Sequence, residues 1–362
     1  MGDKIVFLIN TLKVGGAAKM LKYVVNLSTE IFKDIAIVSL YDDSYEGNDL
    51  KEGVEVVCLG FNKLNRFKRK LIMIPETKAS IKKLKPNVVC SFISHVCVIG
   101  RLATLGEKHI TYISAERGDP FTETYLWKKV VRWTYRKSDY CFFQLDKARD
   151  FFGKEVAQKS FVIPNPAVFN KVVEPYYGER KKTIVSAGRF GEEKRYCDLI
   201  EAFSIVHKKH PNYSLIIYGD GPLLNTYKKQ VAELKLEDCV SFPGYVDCFS
   251  EQIREDGIFV LSSLFEGIPN SLIEAMSVGI PCISTDCTPG GPAFLFDNES
   301  RGILIPVKKP DAMANAIMQY IETPELARVM GKSAVNVINQ LKEDRIRSKW
   351  IKALKKIIGY EC

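Results

Sequence analysis

Long apolar runs are missing from this chain. Nowhere do about 18 apolar residues follow one another, the length that a membrane-spanning helix requires. No charged-then-apolar leader precedes Ile5-Val-Phe-Leu-Ile9, which has the length of a strand. A cytosolic, non-spanning protein is therefore expected. The ten cysteines are scattered through strand-like stretches such as Val89-Cys90-Ser91 and Pro281-Cys282-Ile283 without paired short spacings, so neither a disulfide framework nor a zinc site is indicated. Asp-x-Asp does not occur, and the four histidines (His95, His109, His207, His210) form no ligand cluster; no metal is expected. The G-x-G-x-x-G dinucleotide fingerprint is absent too, as is any low-complexity segment.

What is present is regular. The chain has 362 residues, 46% of them hydrophobic, enough for two domains that each bury a core. Short apolar runs alternate with amphipathic stretches such as Ala18 to Ile31. Strands are expected at Lys4 to Ile9, Ile35 to Leu40, Val54 to Leu59, Val88 to Phe92, Thr111 to Ala115 and Tyr140 to Phe143. A second series runs through Thr183 to Ala187, Ser214 to Tyr218, Val240 to Phe242, Ile258 to Leu261, Cys282 to Thr285 and Gly302 to Ile305. Strands alternating with helices form a parallel sheet covered on both faces. Between the series, Val173-Glu-Pro-Tyr-Tyr-Gly-Glu-Arg-Lys-Lys182 is polar and turn-forming and is taken as the linker. Helices opening on a proline are expected at Pro310 to Ile321 and Pro324 to Leu341, with a last helix over Glu343 to Ile358.

The charge is uneven. Residues 1–170 carry 27 Lys and Arg against 18 Asp and Glu, a net +9, whereas the remainder carries 25 of each. Phe61-Asn-Lys-Leu-Asn-Arg-Phe-Lys-Arg-Lys-Leu-Ile-Met-Ile74 and Ser80-Ile-Lys-Lys-Leu-Lys85 mix cations with apolar side chains. That pattern suits an anionic membrane surface. Tyr125-Leu-Trp-Lys-Lys-Val-Val-Arg-Trp-Thr-Tyr-Arg-Lys137 is a second basic and aromatic stretch, read as a helix that packs Leu126, Val130 and Trp133 into the core and leaves its lysines in solvent. No nucleic-acid motif accompanies the charge, so no nucleic-acid partner is expected.

The chemistry concentrates in Phe265-Glu-Gly-Ile-Pro-Asn-Ser-Leu-Ile-Glu-Ala-Met-Ser-Val-Gly-Ile-Pro281. Glu266 falls in a turn and Glu274 in the following helix. Asn270 or Ser271 can cap that helix and leave its first N–H groups pointing outward, where a diphosphate would gain from both the N–H groups and the helix dipole. Two carboxylates flanking a diphosphate match the hydroxyl groups of a sugar and a ribose, the layout of a nucleotide sugar. A plainer reading also stands: Ser271-x-x-Glu274 is a capping box and Glu266 a solvated loop acid. Val278 to Asp286 follows as helix end, turn and buried strand, which puts the site outside the carboxyl ends of parallel strands, where ligands of open α/β sheets bind.

The segment resembles the paired-glutamate motif of retaining glycosyltransferases of the GT-B fold, in particular glycosyltransferase family 4, many of which build bacterial surface polysaccharides. The resemblance extends through Gly15-Gly16-Ala17-Ala18, Ser114-Ala-Glu-Arg-Gly-Asp-Pro120, Ile163-Pro-Asn-Pro166, Gly188-Arg-Phe-Gly-Glu-Glu-Lys194, Gly219-Asp-Gly-Pro222 and Gly244-Tyr-Val246. It implies an α/β chain of two Rossmann-like domains whose parallel sheets face each other across a central cleft. Residues 1–172 would be the acceptor-side domain, 173–182 the linker, 183–342 the nucleotide-sugar domain, and 343–362 a helix crossing back to the first domain.

By the same resemblance Arg189 and Lys194 would stabilise the leaving diphosphate, Glu266 would bind the donor hexose, and Glu274 would hold the ribose. Tyr245 and Val246 would frame the base, and Gly15, Gly16, Asn270, Ser271 and Leu272 would complete the donor site. His95, Glu116, Arg117 and Asp119 are candidates for the acceptor side. Two departures stand out: Ala18 occupies a position where the family often has glutamate, and no histidine stands near Arg117. The expected protein is a metal-independent hexosyltransferase that needs no cofactor beyond a UDP-sugar donor. It would work peripherally on the inner face of the cell membrane, on a saccharide carried by a polyprenyl diphosphate, in capsule or O-antigen assembly. Two rival readings stay open, a GT-B sugar-nucleotide epimerase and a non-catalytic nucleotide-sugar-binding scaffold.

Overall fold

Strands buried on both faces are near-continuous apolar runs, and the chain repeats such runs twice. In the computed structural model, which describes residues 2–13, 16–121, 124–167, 171–297 and 299–360, they build two sheets. The first is assembled from β1 (Gly2–Ile9), β2 (Phe32–Ser39), β3 (Val54–Cys58), β4 (Val88–Phe92), β5 (Thr111–Ala115), β6 (Tyr140–Phe143) and β7 (Ser160–Val162) in the order β3-β2-β1-β4-β5-β6-β7. Every pairing is parallel, with Ile5 opposite both Ile35 and Val88. The second contains β8 (Thr183–Ala187), β9 (Ser214–Tyr218), β10 (Val240–Gly244), β11 (Ile258–Leu261), β12 (Cys282–Thr285) and β13 (Ile303–Ile305) in the order β10-β9-β8-β11-β12-β13, again parallel. Both sheets are doubly wound, with the order reversing at β1/β4 and at β8/β11.

Each sheet anchors one compact unit, the first made of residues 1–165 and 344–362, the second of residues 166–343. In the first unit the helices Gly16–Ser28 and Glu343–Ile357 cover one face, with Trp350 fully buried and its ring 4.5 Å from that of Phe142. The helices Arg66–Leu84 and Ser94–Ala103 cover the other face. In the second unit Tyr196–Lys209 and Pro310–Glu322 pack side by side against the sheet.

Two expectations need correction, and two further elements were not expected. The stretch 173–182 is no free linker, because the chain changes units after Asn165 and that stretch is bound into the second unit. Arg180 donates to the carbonyl oxygens of Arg254, Asp256, Tyr176 and Val278, and its burial pulls its pKa down to about 10. A guanidinium carrying four carbonyl contacts makes polar sequence into packed structure. The basic stretches at 61–74 and 80–85 are largely one helix, Arg66–Leu84, capped by the Asn65 side chain and running through Pro75. Leu126, Val130 and Trp133 do not enter the core. The helix Tyr125–Lys137 buries Val131, Thr134 and Tyr135 instead, because Tyr135 stacks on Phe152 at 4.2 Å and that contact sets the inward face. Finally, β7 is a three-residue edge strand, only half-buried, too short and too mixed to stand out as a run.

Candidate functional site

The order of the second sheet reverses between β8 and β11, and the turns leaving these two strands meet there. The turn after β8 holds Gly188, Arg189 and Lys194, and the one after β11 holds Ser262, Ser263 and Glu266. Lys194 Nζ donates to Glu266 Oε1 at 2.5 Å, both side chains being about one-sixth exposed. Ser263 Oγ donates to the same Oε1 at 2.8 Å. Among the described residues no donor reaches Oε2, so one carboxylate oxygen is held while the other stays open to a hydroxyl group. The structure therefore joins two residues that the sequence places 72 positions apart. Arg189 lies in the same turn, exposed and with no ion pair among the described residues.

The backbone around this pair is fastened from several sides. Leu264 N donates to Glu193 O (2.7 Å), Ser262 Oγ to Lys194 O (2.7 Å), Thr285 Oγ1 to Ser263 O (2.6 Å) and Glu266 N to Thr288 O (2.8 Å). Two glycines permit the packing. A Cβ on Gly219 would stand 2.0 Å from Gly188 O, and Phe190 N bonds to Asp220 O, so the Gly219-Asp-Gly221 loop braces the arginine turn directly. A Cβ on Gly291 would stand 1.3 Å from Gly267 O, which lets the loop after β12 lie against the Glu266 turn. Ser262, Ser263, Thr285 and Gly291 were not among the expected site residues. Small hydroxyl residues at a strand end carry no distinguishing pattern, and only the fold shows what they hold.

The helix Asn270–Ser277 begins beside this turn, but its capping differs from the expectation. Its N-cap is Pro269, no side chain caps it, and Asn270 and Ser271 are its first two residues. Proline fixes the backbone at the entry and offers no side-chain acceptor, so the first N–H groups stay available to a ligand. Asn270 is exposed, Ser271 and Glu274 are half-buried, and Leu272 is buried in the core. Beyond β10, Tyr245 is exposed and Val246 half-buried, and Gly219 N bonds to Gly244 O at 2.8 Å, tying that loop to the end of β9.

The first unit carries the other candidates around its own reversal point. Gly15 lies outside the described residues. Gly16 opens the helix Gly16–Ser28, and a Cβ there would meet nothing within 4 Å. The loop after β1 is held by Asp42, a buried carboxylate absent from the sequence expectations, which accepts from Leu12 N, Thr11 Oγ1 and Ser39 Oγ at 2.6–2.7 Å. His95 sits half-buried at the start of Ser94–Ala103, its ring 6.4 Å from that of Tyr41, and burial lowers its pKa. Just before it, Ile93 has φ 76°, a conformation that costs a β-branched residue energy and gathers at functional sites.

Glu116 is a structural group. It is buried, and it accepts from Ser94 Oγ (2.7 Å), Tyr135 OH (2.9 Å), Arg117 N (3.0 Å) and Gly118 N (2.9 Å). Arg117 lies over the rings of Phe92 and Trp350, bonds Asn165 Oδ1 at 3.2 Å, and has its pKa pulled down to about 10 by burial. Asp119 accepts from Phe121 N at 2.9 Å. No three His, Cys, Asp or Glu side chains among the described residues converge as a metal site, and no helix there is long and apolar enough to cross a membrane.

Two doubly wound units, one bearing a cation–carboxylate pair at its reversal point, make a GT-B fold. HepE from Anabaena, solved in complex with UDP, matches with a TM-score of 0.78 at 16% identity over 98% of this chain and 100% of its own. Residues 174–337 match the family described as Glycosyl transferases group 1, so the second unit carries that domain. An uncharacterised glycosyltransferase of Methanocaldococcus jannaschii is 28% identical over 58% of each chain, so this chain spans little more than half of that relative. A Campylobacter jejuni protein is 22% identical over 98% of this chain and 99% of its own. It is named as the GalNAc-alpha-(1->4)-GalNAc-alpha-(1->3)-diNAcBac-PP-undecaprenol alpha-1,4-N-acetyl-D-galactosaminyltransferase.

Proposed function

We propose that the chain is a retaining glycosyltransferase that moves a hexose or N-acetylhexosamine from a UDP-sugar to a saccharide on a polyprenyl diphosphate, in bacterial surface glycan assembly. The observation that carries the proposal is the Lys194–Glu266 pair beside the uncapped start of Asn270–Ser277. The Campylobacter relative's polyprenyl-linked acceptor and the UDP bound to HepE support the choice of substrates.

In this reading the diphosphate lies against the N–H groups of Asn270, Ser271 and Leu272, where the helix dipole favours an anion. Lys194 and Arg189 take up the negative charge that grows on the leaving phosphate as the C1–O bond breaks, the contribution expected to be largest. Glu266 Oε2 accepts a sugar hydroxyl, and Glu274 binds the ribose. The acceptor oxygen bonds to C1 on the same face, and its proton passes to the departing phosphate oxygen. No metal enters the scheme, since Asp-x-Asp is missing from the sequence. The enzyme is placed on the cytoplasmic face of the membrane, held by its basic N-terminal half.

The test is a thermal-shift and hydrolysis screen of UDP-glucose, UDP-galactose, UDP-GlcNAc, UDP-GalNAc and GDP-mannose in EDTA, followed by the anomeric configuration of the product by NMR. Stabilisation by a UDP-sugar, slow UDP release and a retained anomer are expected. No response to any donor would leave a scaffold, and an inverted anomer would refute the mechanism.

A further inference from the structure

The helix Tyr125–Lys137 faces the wrong way for an ordinary surface helix. Its inward side is Val131, Thr134 and Tyr135, while Tyr125 (71% exposed), Leu126 (73%), Val130 and Trp133 (39% each) point into solvent. Lys129, Arg132, Arg136 and Lys137 share this outward side, and the helix contains no acidic residue. Lys129, Arg132, Trp133, Arg136 and Lys137 line a shallow groove of about 490 Å³ with a single acid, Glu155, whose Oε2 is 4.0 Å from Arg136 Nε. Lys129 Nζ sits 4.5 Å from the Tyr125 ring centroid, and the Arg132 guanidinium 4.3 Å from that of Phe151, which packs on half-exposed Phe121 at 5.0 Å.

We propose that this face is a docking surface for an anionic phospholipid bilayer. It rests on the membrane association proposed above and deepens it, naming a surface that is separate from the basic helix Arg66–Leu84. A water-facing role explains the cations but not Leu126, Val130 and Trp133 recurring at four and three residues, with Tyr125 next to them, on the same side. At a bilayer each part has a place. Tyrosine and tryptophan settle at the headgroup level with their polar edges wet, Leu126 and Val130 reach below it, and lysine and arginine stems run along the apolar surface to put their charges on lipid phosphates. The Arg66–Leu84 helix leaves Phe67 and Leu71 similarly exposed, and both helices pack against Ser94–Ala103, so the two surfaces belong to one side of the first sheet.

Flotation of the full chain with phosphatidylcholine vesicles, with and without phosphatidylglycerol, tests the proposal. The wild type should float only with the anionic vesicles. Arg132→Gln/Arg136→Gln should lower partitioning roughly 30-fold, about fivefold per charge, and Leu126→Ser/Trp133→Ser at least about tenfold. Both variants should keep the wild-type melting curve and UDP response, since all four positions are exposed. In a Trp127→Phe chain, where the remaining Trp350 is buried, brominated lipid should quench Trp133. Flotation unchanged in either variant, or unquenched Trp133, overturns the proposal; so does retention on RNA or heparin without flotation, which would make the face a polyanion site. A wild type that floats but ignores every UDP-sugar refutes the transferase reading and leaves this one standing.

Discussion

Replacing Lys194 by methionine keeps most of the side chain's length and removes its charge. The ammonium donates to Glu266 Oε1 at 2.5 Å and lies in the turn leaving β8 at the sheet's reversal point, where it can turn from the carboxylate to a diphosphate. If it stabilises the leaving group, its loss should lower kcat by about 100- to 1,000-fold, the effect of removing one preorganised charge-stabilising donor. Stability should change far less. Glu266 keeps its bond from Ser263 and some contact with solvent, so the orphaned carboxylate costs about 1–2 kcal/mol, below the penalty for a fully buried pair. For a unit of this size that lowers Tm by roughly 2–8 °C. Release of UDP from saturating donor, measured well below Tm, separates the two effects. A double-mutant cycle with Glu266→Gln apportions the pair: stability losses should be strongly non-additive, because either change breaks the same contact, while Glu266→Gln alone should retain most UDP affinity. A folded Lys194→Met protein that transfers sugar at the wild-type rate would refute the reasoning.

Other consequences are open to similar tests. Ser263→Ala removes the second donor to Glu266 Oε1 and should cut kcat/KM by about 5- to 30-fold with a loss of about 1 kcal/mol in urea unfolding. Gly291→Ala places a methyl 1.3 Å from Gly267 O and must move backbone; a loss of at least about 3 kcal/mol, or failure to fold, is expected by chemical denaturation. His95 has its pKa lowered by burial, so on acidification the unfolded chain takes up the proton first. Its share of stability, present above the ordinary histidine pKa of 6.5, should shrink as pH falls below that value, and His95→Gln should flatten this part of the Tm–pH profile.

How much of this was legible in sequence depends on how local each cause is. Val88 to Phe92, Thr111 to Ala115, Thr183 to Ala187 and Cys282 to Thr285 coincide with observed strands, because a strand buried on both faces announces itself as an apolar run. Lys194 and Glu266 were singled out by resemblance, yet their contact was not legible, since nothing in either segment states which strand neighbours which. Ser263, Asp42 and the bracing glycines became visible only with their partners. The Tyr125–Lys137 helix was assigned the wrong inward side because periodicity identifies an apolar stripe without saying whether the core or something outside the protein receives it. Arg180 misled in the opposite sense: a charged residue among turn formers looks solvated until four carbonyl oxygens surround it.

The return of residues 344–362 to the first unit bears on the order in which the protein can be made. Residues 166–343 contain their own sheet and core and emerge from the ribosome as a continuous stretch, free to fold at once. The first unit, though synthesised earlier, has to wait with the ground around Phe142 uncovered until Ile346, Trp350 and Leu354 arrive. The half made first is thus completed only after the second, and a ribosome stalled before Ile346 would hold a folded second unit attached to an unfinished, adhesive first one.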